Sequence, residues 1–168
     1  MFEQNLVLMR KFDHPAFVAF SLGDLGFLAW EMEDYQGAEQ RFDEMLALFR
    51  KIGDKQFEPI ALFGSGRAAS GQGKYDRARI FFHESLALQQ IVLPLNIQGA
   101  LEALAFLEAT QDNQVCAARL LGATQTCYTK SQLSITPRER RDRENAIASL
   151  RRRWVKKLLR EPGRREKP

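Results

Sequence analysis

KYDRARIFFHESLAL, Lys74 to Leu88, recurs one period earlier as DYQGAEQRFDEMLAL, Asp34 to Leu48. Tyr35 and Tyr75, Ala38 and Ala78, and Phe42 and Phe82 pair at one fixed offset of 40 residues. Self-similarity at such a period marks an array in which one supersecondary unit is stacked on the next, because a single unit cannot bury its own apolar face. Within each copy the small and apolar residues fall three and four apart, which is helical spacing.

Working outward, each copy of the stretch is preceded by a second helical pattern. Residues 16–32 carry Ala19, Leu22, Gly26 and Ala29; residues 58–71 carry Ala61, Leu62, Ser65, Gly66 and Ala69. A third pattern over 96–110 carries Ala100, Leu101, Leu104, Ala105 and Glu108 and is followed by a helix from Gln114 to Tyr128. Three helix pairs result, over about 15–54, 55–93 and 94–130. Alanine and glycine at matching places let helix backbones approach, while Phe42, Phe82 and Leu121 fill the seams. Gly53-Asp54 and Pro94 separate the pairs, and Gly71-Gln72-Gly73 turns the chain inside the second.

The ends differ from the middle. Phe2 to Phe12, FEQNLVLMRKF, aligns without gaps to Phe42 to Ile52, FDEMLALFRKI, so residues 1–13 are expected to form the second helix of a truncated repeat, with an open face. At the other end, Thr136-Pro137-Arg138-Glu139 combines an N-cap, a proline at the first helical position and a capping-box glutamate. Ile147, Leu150, Trp154 and Leu158 then form one apolar stripe, which predicts a basic capping helix over 131–160 ahead of a disordered tail at 161–168.

These residues carry a resemblance. Leu22, Leu25, Gly26, Tyr35, Ala38 and Phe42, and again Leu62, Gly66, Tyr75, Ala78 and Phe82, keep the spacing of the tetratricopeptide pattern. The third copy, with Leu101, Leu104, Ala105, Gln114, Ala117 and Leu121, lacks the tyrosine. The period, nearer 40 than 34, resembles the MalT-like variety, as in the carboxyl-terminal repeats of bacterial signal-transduction ATPases and LuxR-type transcriptional regulators. CAARLLGATQ, Cys116 to Gln125, is similar to the closing repeat of such proteins. The resemblance implies an all-α, right-handed superhelical stack and a protein-interaction or sensory role, with the first helices lining a groove. Mapped on the repeat, groove positions are Phe20, Phe27 and Trp30, then Phe63, Arg67 and Ser70, then Glu102 and Phe106. Either these aromatics anchor a partner peptide, with Arg67 pairing a carboxylate, or some pack against neighbouring helices.

Nothing in the sequence points to catalysis, a cofactor or a metal. GSGRAASGQGK, Gly64 to Lys74, has phosphate-loop letters, but its glycines do not sit between a strand and a helix and Lys74 lacks a following Ser or Thr. His14, His83 and Cys116 have no ligand spacing, and Ser65 and Ser85 have no visible base. Cys116 and Cys127 would lie roughly 16 Å apart along one helix, out of disulfide reach, and read as reduced, buried thiols. No apolar run is long enough for a membrane span, and a cytoplasmic location is expected.

Charge is distributed unevenly. Residues 1–136 hold 12 Lys+Arg against 16 Asp+Glu, net −4, and residues 137–168 hold 13 against 5, net +8. Arg151, Arg152, Arg153, Lys156, Lys157 and Arg160 give the second functional expectation, contact with nucleic acid or an acidic partner. Self-association through the open face at Phe2 to Phe12 is a third.

Overall fold

The computed structural model describes residues 14–91 and 97–130, together with Arg141, Glu144, Asn145, Ala148 and Arg152, which are helical. Six helices run through the two continuous stretches: α1 (Pro15–Glu31), α2 (Tyr35–Ile52), α3 (Glu58–Gly71), α4 (Tyr75–Ile91), α5 (Ile97–Thr110) and α6 (Gln114–Lys130). The described residues contain no strand. The expected all-α architecture of helix pairs is therefore present, and the helix bounds fall within two residues of those read from the sequence.

The chain divides into two compact units, Met1–Ala103 and Leu104–Pro168. In the first, α1 packs on α2, α3 packs on α4, and α2 also packs on α3, so α2 lies between its own partner and the following first helix. α2 is amphipathic and buries Ala38, Phe42, Met45, Leu46 and Phe49, one stripe at spacings of three and four. α3 buries ten of its fourteen residues and has no solvated stripe of its own. A first helix with neighbours on several sides has to be small all round, which explains its alanines, serines and glycines.

The glycines fix how closely the helices approach. A side chain at Gly26 would meet the Phe42 ring at 2.9 Å, and one at Gly64 would enter the same ring more deeply. One aromatic ring thus lies between the first helix of its own pair and that of the next. Phe82 repeats the contact over Gly66, where a Cβ would lie 2.5 Å from the ring.

The turn inside each pair is built three times on one plan. Glu33, Gly73 and Asp112 have φ of +63°, +74° and +64°. After each, the amide of Asp34, Lys74 or Asn113 donates to the carbonyl of Ala29, Ala69 or Glu108, all at 2.9 Å. Asp34 caps α2 by accepting from the Gly37 amide at 2.9 Å. Gly53, at φ +73°, closes α2 in the left-handed conformation expected of it.

In the second unit, Asn113 donates to the Glu108 carboxylate at 2.7 Å and so holds the α5–α6 turn. Leu104, Ala105, Leu107, Ala117 and Thr124 are buried. One expectation is corrected here: Cys116 is only half-buried, because it lies beside rather than on the buried position of Ala117. The truncated repeat at 1–13, Pro94, Cys127, most of the basic helix and the tail at 161–168 lie outside the described residues or side chains.

Candidate functional site: the face of the first helices

Three of the eight expected groove residues meet at one point. The Arg67 guanidinium carbon lies 3.5 Å from the centre of the Trp30 ring and 5.5 Å from that of Phe63. The cation of the second first helix is therefore laid on the indole of the first, a cation–π arrangement spanning two repeats. Arg67 itself is half-buried.

The aromatics divide between packing and surface. Trp30 is 7% exposed and Phe63 is 5% exposed. Phe63 packs on Phe82, with ring centroids 6.0 Å apart, and its edge lies over Gly99, where a Cβ would be 3.1 Å away. Phe27 is half-buried, edge-on to Phe42 at 4.9 Å. These three rings serve chiefly as inter-helix packing, the second of the two readings left open by the sequence. Phe20 meets Phe49 and Phe57 at 5.4 and 4.8 Å and keeps 36% of its surface exposed. Ser70 is half-buried. In the first unit Glu102 is half-buried, and in the second Phe106 is 39% exposed.

A polar clasp that sequence reasoning did not single out joins the second helices. Glu39 on α2 accepts from Gln72 at 2.8 Å and from Lys74 at 3.2 Å, and pairs with Arg77 of α4 at 2.6 Å. Asp43, one turn on, accepts from Ser65 at 3.4 Å and lies 3.9 Å from Arg77. Burial pushes the Glu39 carboxyl up, but the bonds from Gln72 and Lys74 and the charges of Arg77 and Lys74 outweigh it and hold the pKa below its ordinary value. At Asp43 burial dominates and the pKa is raised. Glu39 lies in one copy of the repeated stretch and Lys74 and Arg77 in the next, but only the stack brings them together.

Among the described residues no group of three or more His, Cys, Asp or Glu is placed to hold a metal ion, and no helix is long and apolar enough to cross a membrane. His14 and His83 are exposed.

Stacked helix pairs with an aromatic ring seated over glycines of two first helices define a helical-repeat protein. Residues 17–91, the first two helix pairs, match the family model for the tetratricopeptide repeat. Among solved structures, the chain is similar to the TPR domain of Arabidopsis FLU, with 20% identity and a TM-score of 0.63, over 67% of this chain and 96% of that one. This likeness concerns the fold. No curated protein shows significant sequence similarity to the chain.

Proposed function

We propose that this chain is a non-catalytic interaction module that takes a peptide or protein partner on the face of its first helices. The observation that carries the reading is Arg67 on Trp30: a cation held at fixed position by two buried rings, on the face where the repeat leaves side chains between its packing residues. Phe20 and Ser70 extend that surface in the first unit. A stacked guanidinium is pre-organised, so less side-chain freedom is lost when a partner meets it. An extended or helical segment with apolar side chains and a carboxylate fits this chemistry.

The test is selection of binding peptides from a displayed random library against the folded protein. Peptides whose binding is lost in Arg67→Glu and Phe20→Ala, with thermal unfolding unchanged, support the reading. Peptides indifferent to both changes contradict it.

The period near 40 residues and the acidic body followed by a basic segment favour a place in a bacterial transcriptional or signalling regulator. Exposure of Arg141 and Arg152 favours a second reading, in which the basic segment contacts nucleic acid. Binding of duplex DNA would then fall steeply with salt and vanish when Arg151, Arg152 and Arg153 are neutralised.

A further inference from the structure

The first two helix pairs are joined at three places across their boundary. In the middle is the α2–α3 seam, where Tyr35 covers Gly71, Phe42 covers Gly64 and Phe49 stacks on Phe57 with centroids 5.7 Å apart. On one side of the seam α1 meets α3, and there Arg67 lies on Trp30. On the other side α2 reaches α4 through long charged side chains. Glu39 takes Gln72, Lys74 and Arg77 near the start of α2, and Arg50 reaches Glu84 at 3.7 Å near its end. Arg50 also holds Glu58 of α3 at 3.5 Å.

The three joints constrain different motions. A ring laid against a glycine stops two helices from approaching further, but it offers no interlocking side chain to resist rotation of one pair against the other about the seam. That rotation has to be limited on the flanks. The flanks lie on opposite sides of the seam and therefore oppose each other: a rotation that parts α4 from α2 also shifts α3 along or against α1. Of the two, the clasp is the more closed. The Glu39 side chain is only 13% exposed and three donors of the following repeat converge on it. Its partners are all on the second-helix side, away from Trp30.

We infer that Glu39 is a positioning residue for the first-helix face. By tying α4 and its preceding turn to α2, it fixes where α3 carries the Arg67 guanidinium relative to the Trp30 ring. Loosening the clasp lets the second pair rotate about the seam, and Arg67 loses its fixed seat. Salt acts in the same direction, because Lys74 and Arg77 reach the clasp from partly exposed positions. The consequence for a bound partner, loss of pre-organisation, rests on the function proposed above; the effect on Arg67 itself does not.

Nuclear magnetic resonance of the full chain tests this without any ligand. Protons held over the face of an indole are shifted upfield by its ring current, so the Arg67 Nε and Cδ protons report the seat directly. They are expected well upfield of ordinary arginine signals in the native chain, to move toward ordinary values in Glu39→Gln and further in Glu39→Arg, and to return in Glu39→Arg/Arg77→Glu. Ser85→Ala, which weakens the fold inside the second pair, should leave them upfield and so separates positioning from a general loss of stability. A salt titration of the native chain gives a parallel reading that requires no variant to fold. Arg67 signals that stay upfield in Glu39→Gln and throughout the salt titration overturn the inference while leaving the first-helix face intact. Ordinary Arg67 signals in the native chain overturn both, because the seat itself is then absent.

Discussion

Phe42 stands between Gly26 and Gly64, its ring lying where a side chain at either position would have to go. The glycine of one repeat and that of the next are thus read by the same residue, which with Tyr35 against Gly71 and Phe49 on Phe57 sets the spacing between the two pairs. Gly64→Ala is expected to destabilise the protein by about 2 kcal/mol, the scale of overpacking a filled core. Urea denaturation checks it, with Gly122→Ala as control: nothing lies within 4 Å of a Cβ there, and alanine in a helix interior adds up to about 1 kcal/mol.

The three internal turns share one conformation but not one residue. Gly73 adopts φ +74° without side-chain strain, whereas Glu33 adopts +63° with it. Gly73→Ala should cost about 1 kcal/mol and Glu33→Gly should gain up to about that amount. Thermal unfolding of the two variants shifts in opposite directions if the turns are equivalent, as their hydrogen bonds indicate.

Acid acts on the clasp through two carboxylates of opposite tendency. The Glu39 pKa is lowered on folding, so its contribution is fully present above the unfolded value and is lost as pH falls through the folded one. The Asp43 pKa is raised, so its ionisation weakens the fold as pH rises through the folded value. Glu39→Gln should therefore cost stability at neutral pH and cost progressively less in acid, while Asp43→Asn should be neutral or stabilising at neutral pH. With Lys74 and Arg77 45% and 47% exposed, the Glu39 effect is about 1 kcal/mol or less. Denaturant midpoints at neutral and acid pH give both signs.

Ser85 is fully buried on α4; its hydroxyl donates to the Pro59 carbonyl at 2.8 Å and accepts from Gln89 at 2.9 Å. Ser85→Ala removes the bond across the α3–α4 seam and the one within α4, and should cost about 1–3 kcal/mol. Ser85→Thr, which keeps the hydroxyl, separates that loss from the effect of volume.

The repeat, its helix bounds and the closing of α2 at Gly53 were legible because each rests on local spacing or on one residue's backbone freedom. The turns at Glu33 and Asp112 were less so, since neither residue advertises a positive φ. The division of the aromatics was not legible at all. α3 is buried at ten of fourteen positions, so periodicity marks no outward stripe, and Phe63 and Phe20 read alike although one is buried and the other partly exposed. Arg67 was placed on the right face by the repeat register. Its seat on Trp30 depends on the distance between two stacked first helices, which appears only in three dimensions. The same holds for the Glu39 clasp, whose members lie more than thirty residues apart in the chain.

The first-helix face is the centre of the functional account, and amide hydrogen exchange with a selected peptide bound tests it most directly. The expected result is slowed exchange in α1 around Phe20 and Trp30 and in α3 around Arg67 and Ser70, with α2 and α4 unchanged and affinity about tenfold weaker in Arg67→Ala, equivalent to about 1.4 kcal/mol. Protection confined to α2 and α4, or an affinity indifferent to Arg67, would contradict the account.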